Sequence, residues 1–246
     1  MTRRLEVVWP DPALFRARGG RSIRILAVSD SFDPALAEER NRRELGPIDL
    51  ILGCGDLDCD DLAFVTDGFA APLLHVLGNH DSAERRAVST VCPSPMLGTG
   101  VRRAAGVAVA GLSWPGRPGR RAVRSDLGSW QQVLSLALRR LRSSEPLIII
   151  SHVPPLGLGD EPNGTYHRGF RAYLWLLERL RPCLWLHGHT PLASALDWRI
   201  TSGDTVLANV AGAVLVELIS PEGRFPAAVQ GQSEASTGTA GSALPE

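Results

Sequence analysis

Between Ile23 and Asn79 the sequence alternates three short apolar runs with two segments of helical character, and that rhythm constrains the fold more than any other feature. Ile23–Ser29 (IRILAVS), Leu50–Cys54 (LILGC) and Pro72–Leu77 are predominantly apolar runs of strand length and read as buried strands. Pro34–Leu45 opens on proline, carries charged residues on one face and is followed by Gly46-Pro47, as a helix would be. Asp61–Phe69 reads as a second helix. Strand, helix, strand, helix, strand implies parallel pairing through helical crossovers, and so an α/β fold. Each of these strands stops at a polar group: Asp30, then Gly55-Asp56, then Gly78-Asn79-His80-Asp81. In such folds functional groups gather beyond the carboxyl ends of the strands.

The second half resets the pattern and repeats the habit. Gly106–Trp114 reads as a strand, Leu127–Leu141 as an amphipathic helix, and Leu147–Ser151 (LIIIS) as a strand ending at His152. A helix over Gly169–Leu180 precedes a strand over Leu184–Leu186, which ends at His187-Gly188-His189. Trp198–Thr201, Thr205–Ala208 and Ala213–Leu218 read as short antiparallel strands. The expected organisation is an N-terminal arm over 1–22, one domain over 23–222, and a tail over 223–246. The tail's Gln/Ser/Thr/Gly/Ala composition cannot bury a core and is expected to be disordered.

Composition narrows the chemistry. Lys+Arg and Asp+Glu are 26 each, so no global charge argues for a nucleic-acid polymer or an anionic membrane. Every cation is Arg, because the sequence contains no Lys. Lysine-based mechanisms and the GxxxxGK[ST] phosphate loop are therefore excluded. The four cysteines (Cys54, Cys59, Cys92, Cys183) show no CxxC spacing, and Cys54 and Cys183 read as buried thiols in apolar runs. No apolar stretch has membrane-spanning length and the first residues lack a signal-peptide core, so the expected location is cytoplasmic.

Taken together, the strand ends offer carboxylates, an amide oxygen and imidazoles: Asp30, Asp56, Asn79, His80, Asp81, His152 and His189. Such a mixed O/N set suits borderline divalent metals. Taken singly, each residue has an ordinary structural explanation, such as a helix cap or a local hydrogen bond. It is their recurrence at one kind of position that makes a metal centre the expectation.

These residues resemble the calcineurin-like metallophosphoesterases, whose pattern is DxH, GDxxD, GNH(D/E), an isolated His after a hydrophobic strand, and GHxH. The matches are Asp30, Gly55-Asp56, Gly78-Asn79-His80-Asp81, His152 and Gly188-His189, over roughly residues 23–220. Ser151-His152-Val153-Pro154-Pro155-Leu156-Gly157 is similar to the metallophosphoesterase-domain subgroup. The resemblance implies a calcineurin-like two-sheet sandwich flanked by helices, in a single domain. It also implies hydrolysis of phosphomonoesters or phosphodiesters by two metals that share a carboxylate.

The chain departs from that pattern twice. The His of DxH is Phe32, and the second His of GHxH is Pro191. In the family both missing histidines hold the metal that the first Asp also holds. The other metal takes the bridging Asp, the Asn, the isolated His and the first GHxH His, all retained here as Asp56, Asn79, His152 and His189. The expectation is one complete metal position, with Asp30 left to find another partner, an arginine being the obvious candidate. Asp33, Asp58 and His187 are the residues near enough in sequence to rebuild the lost one. Four protein ligands saturate tetrahedral zinc, so a catalytic metal with open positions points to Mn²⁺ or Fe²⁺, with Zn²⁺ possible. The resemblance implies that His80 faces the phosphate; with Asp81 orienting its ring, it would serve the leaving group. His167 and Arg168, in the loop before a helix, are candidates to bind the substrate anion. The expected activity is that of a phosphodiesterase on a small phosphoester or nucleotide. The alternative is a weakly active or inactive relative that binds such a ligand as a sensor or partner protein.

Overall fold

A computed structural model describes residues 2–81, 97–119, 122–161, 166–192 and 198–224. Its first sheet runs in the order β1 (Arg3–Val8), β13 (Gly212–Ile219), β2 (Ile23–Ser29), β3 (Leu50–Gly53), β4 (Leu73–His75). The second runs β11 (Arg199–Ser202), β12 (Thr205–Asn209), β10 (Leu184–His187), β9 (Leu147–Ser151), β6 (Val107–Leu112), β5 (Gly100–Ala104). A two-stranded ribbon, β7 (Gly116–Arg117) with β8 (Val123–Arg124), stands apart. As the alternation required, β2, β3 and β4 pair in parallel, and so do β6, β9, β10 and β12.

The runs are predominantly apolar because both faces of each sheet are covered. Ile23, Ile25 and Ala27 of β2 meet Ile148 and Ile150 of β9 in the layer between the sheets. The alternate residues Leu26 and Val28 face α2 (Glu39–Leu45) and α3 (Cys59–Phe69) through Leu45, Leu62 and Val65. Ile149 and Trp185 face α4 (Asp126–Arg140) and α5 (Arg171–Leu180) through Val133, Leu136, Tyr173 and Leu176. The result is helix, sheet, sheet, helix: the two-sheet α/β sandwich, in one domain. The Ser125 hydroxyl accepts the Gly128 N–H at 2.9 Å and starts α4 one residue before the expected boundary.

Four sequence expectations need correction. The N-terminal arm is part of the fold: β1 pairs in parallel along β13, and Trp9, ahead of α1 (Pro12–Arg16), and Phe15, within it, are buried in the central layer. The segment looked detached because its apolar run is short and is followed by Arg/Gly-rich sequence. The C-terminal strands are not simply antiparallel. Although β11 pairs with β12 in that sense, β12 lies parallel to β10, and β13 crosses to the first sheet, antiparallel to β2. The helix expected over Pro34–Leu45 breaks at Glu38 (φ −80, ψ 121) into a short 3-10 turn, Pro34–Ala37, and α2. Asp33 caps that turn, its Oδ1 accepting the Ala35 N–H at 3.0 Å. Cys183 is only half-buried, whereas Cys54 is fully buried. Most of the expected tail, 225–246, lies outside the described residues. Among the described residues no helix is long and apolar enough to cross a membrane.

Candidate metal centre and active site

Four loops at the carboxyl ends of β2, β3, β4 and β10 are tied together by bonds to their main-chain amides. Asp30 N–H donates to the Gly55 carbonyl at 3.1 Å, and His189 N–H donates to the Asp30 carboxylate at 2.9 Å. The Asp81 Oδ2 accepts two amides, Gly78 N–H at 2.8 Å and Asp56 N–H at 3.0 Å. His80 N–H donates to Asp56 Oδ1 at 2.7 Å. Held this way, Asp30, Asp56 and His189 adopt left-handed φ values of 65, 59 and 68 degrees. Non-glycine residues take such values at a cost of about 1–3 kcal/mol each, and only where surrounding bonds enforce them.

The motif glycines make the approach possible. A Cβ on Gly55 would lie 2.6 Å from Gly78 N; one on Gly78 would collide with the Asp56 carboxylate, and one on Gly188 with the Asp30 carboxylate and the Ser29 hydroxyl. Gly78→Ala should therefore displace Asp56 and lower Mn²⁺ affinity by at least about 10-fold, the scale set by disturbing a ligand's support. Calorimetric titration checks this, and unchanged affinity would contradict it.

Asp56, Asn79, His152 and His189 turn their lone pairs on one point. His152 Nδ1–H donates to the Cys54 carbonyl at 2.9 Å, leaving Nε2 facing inward. That nitrogen is 2.8 Å from Asn79 Oδ1, 3.0 Å from Asp56 Oδ2 and 3.2 Å from His189 Nδ1. His189 Nε2–H donates to the Tyr166 carbonyl at 3.1 Å, so its Nδ1 also faces inward. Asn79 Nδ2 donates to the Tyr166 hydroxyl at 2.6 Å, which turns Oδ1 inward. Four acceptors crowded into a buried pocket repel one another unless a positive charge joins them. A divalent cation fits that donor set.

Electrostatics agree. Burial opposes charge on His152, yet the hydrogen bond and charge of Asp56 outweigh it and raise the imidazole above its ordinary 6.5. Burial likewise pushes Asp56 up, but His152 outweighs it and the carboxyl is lowered. Burial, with His152 adding to it, pushes His189 down to about 3, so its lone pair stays free. Without a cation, the pocket recruits a proton on His152. A metal must displace that proton, so apparent Mn²⁺ affinity should rise as pH increases through and beyond the usual histidine range. Titration calorimetry in buffers of different ionisation enthalpy should show proton release. Affinity independent of pH would contradict it.

Asp30 differs from expectation. No arginine pairs with it among the described residues; the partners of its carboxylate are the His189 amide and Ser29. Burial raises its pKa above the ordinary carboxyl value. It lies in one group with Asp56 and His152, their ligand atoms all within 4.8 Å of one another. Asp30 touches His189 only at the main chain and bonds to none of the other three inward-facing groups. Asp30→Asn should therefore cost several-fold less Mn²⁺ affinity than Asp56→Asn, and equal losses in parallel titrations would contradict that. Asp33 is occupied as a helix cap, and His187 is buried with Nδ1 on the Gly188 carbonyl at 3.1 Å. Among the described residues neither joins Asp30, Asp56 and His152 in a metal-ligating group, and neither does Asp58. Phe32 packs edge-on against Phe64 at 5.6 Å, and Pro191 is exposed.

Two features around this centre, at Asp81 and Tyr166, depart from the sequence expectation. His80 is exposed beside the pocket, but Asp81 does not orient its ring, because the described bonds of that carboxylate go to the amides of Gly78 and Asp56. The ring's partner is Tyr166, whose hydroxyl lies 2.8 Å from His80 Nε2. Tyr166 sits in no motif, although it adjoins the candidate pair His167-Arg168 in the chain. His167 comes close to the centre, its ring 5.2 Å from that of His189, with Nδ1 paired to Glu161 at 3.1 Å. The Arg168 side chain is exposed, while its carbonyl accepts from Arg124.

The calcineurin-like phosphoesterase family model matches residues 23–193. The chain belongs to that family. Family membership and the acidic–imidazole cluster make it a metal-binding phosphoester hydrolase by descent and by donor chemistry. Its fold is similar to that of TT1561 of Thermus thermophilus, with TM-score 0.51 at 15% identity over 78% of this chain and 90% of that one. It is also similar to a dimetal phosphatase from Danio rerio, with TM-score 0.51 at 14% identity over 78% of this chain and 88% of that one. No curated protein matches the chain.

Proposed function

We propose that this protein is a phosphodiesterase working with one fully formed metal position. The observation that carries the reading is the convergence of Asp56 Oδ2, Asn79 Oδ1, His152 Nε2 and His189 Nδ1, with His80 exposed at its edge. A divalent cation held there supplies a Lewis acid that polarises the phosphoryl group and acidifies water. The chain supplies the rest. His80 reaches the substrate side and gives a hydrogen bond to the departing oxygen. Asp81 keeps the Asp56 and Asn79 loops in register through their amides. His167 offers a further donor to the anion.

A diester carries one negative charge, and one divalent cation among the carboxylates of Asp30 and Asp56 tolerates that better than the dianion of a monoester. Coordination favours Mn²⁺ or Fe²⁺ over Zn²⁺, because four protein ligands fill a tetrahedral site and leave no place for substrate. The neighbour described as a dimetal phosphatase uses two metals; here Phe32 and Pro191 support one. Those same two residues support the second reading, a binding protein without turnover. Hydrolysis of bis-p-nitrophenyl phosphate with Mn²⁺, abolished by chelation and faster than that of the monoester, is the expected result. Tight Mn²⁺ binding with no turnover of either ester would favour the sensor.

A further inference from the structure

Tyr166 touches three of the groups gathered at the metal centre by two different routes. Its hydroxyl accepts from Asn79 Nδ2 at 2.6 Å and lies 2.8 Å from His80 Nε2. Its main-chain carbonyl accepts from His189 Nε2–H at 3.1 Å. Its ring lies 5.4 Å from that of His189 and 5.0 Å from that of His167. The loop that presents it is closed at its neck. Asp160 Oδ1 accepts Gly157 N–H at 2.9 Å, and Oδ2 accepts Gly169 N–H at 2.7 Å. Glu161 N–H donates to the His167 carbonyl at 3.2 Å. At Gly169 a Cβ would meet the Pro155 carbonyl at 2.6 Å, so the return strand of the loop lies tight against the chain following His152.

We propose that Tyr166 is a positioning residue that fixes the ligand geometry of the metal centre, its hydroxyl choosing which end of the Asn79 amide faces the metal. An asparagine amide can present either oxygen or NH₂ by rotating about its last bond, and only the oxygen can bind a cation. With its proton directed to His80 Nε2, the phenol oxygen is left to accept from the NH₂, and the amide oxygen points inward. The carbonyl of the same residue does for His189 what the Cys54 carbonyl does for His152: it takes one ring N–H and turns the other nitrogen inward. The same hydroxyl holds the His80 ring at the edge of the pocket. One loop residue thus orients two ligands and the group assigned to the leaving oxygen.

This inference rests on the metal-centre part of the reading above, and Mn²⁺ itself is the probe. Tyr166→Phe removes only the hydroxyl from a ring that is 51% exposed. Its Mn²⁺ dissociation constant should rise about 10-fold, within the range typical of lost support for a metal ligand. The loss should act through Asn79. In an Asn79→Ala background Tyr166→Phe should cost nothing further, a coupling that a merely structural role would not produce. Asp160→Asn, which loosens the neck without touching Tyr166, should weaken binding in the same direction. Unchanged affinity in Tyr166→Phe would overturn the proposal, and so would an equal loss with and without Asn79. Wild-type protein that binds Mn²⁺ but turns over no ester would overturn the phosphodiesterase reading and leave this inference standing. Wild-type protein that binds no Mn²⁺ would overturn both.

Discussion

Asp56→Asn should lower Mn²⁺ affinity by about 100-fold or more, the upper end of what even indirect support for a metal site is worth, and should reduce ester turnover to background. Asp56 is bonded to three other residues of the centre. Its Oδ2 faces His152 Nε2 at 3.0 Å, its Oδ1 accepts the His80 amide at 2.7 Å, and its own N–H is held by Asp81 at 3.0 Å. Asparagine keeps the shape and can still accept from His80, but it removes the charge that raises His152 and that a cation needs. The variant should melt close to wild type, because His152 then simply loses its proton. Metal titration and a melting curve on the same preparation test this, and a variant that still binds Mn²⁺ normally would contradict the account.

Phe32→His/Pro191→His should create a second Mn²⁺ position and speed diester hydrolysis, since a second Lewis acid contributes several kcal/mol to the transition state. Asp30 is already there, half-buried, with a raised pKa and no arginine beside it among the described residues. Either single reversion supplies too few ligands and should bind the second metal weakly. The structure adds a cost that the sequence did not reveal. Phe32 packs on Phe64 and against the helix layer, and losing an aromatic pair costs about 0.5–1.5 kcal/mol beyond buried area. Pro191 is exposed, so its replacement is the milder change, although it frees the backbone after Thr190. Stoichiometry remaining at one in the double variant would show that these two residues alone did not remove the site.

The parts of this account legible in sequence were those written in short range. β2 and β9 have the boundaries read from their apolar runs, because a strand covered on both faces is apolar at nearly every position, Arg24 being the exception. The strand-end residues were legible because parallel strands deliver their carboxyl ends to one edge. What was not legible depends on long-range contact. β1 gains its place only by pairing with β13, more than 200 residues away. The route of β13 into the first sheet leaves no local mark. Asp81 carries the right residue type for orienting a ring, but its carboxylate reaches two amides. Tyr166 is separated from Asn79 by 87 positions and sits in no motif. A glycine such as Gly188 reads as a turn, and only the structure shows the Asp30 carboxylate that a side chain would strike.

The most direct test of the central claim is the number of Mn²⁺ ions bound per wild-type chain, measured by elemental analysis of protein dialysed against Mn²⁺ and by titration of the chelated protein. One tightly held equivalent is expected, lost when Asp56, Asn79, His152 or His189 is replaced. Two equivalents at full occupancy would contradict it, because Asp30 would then be completing a second position without the histidines that Phe32 and Pro191 replace.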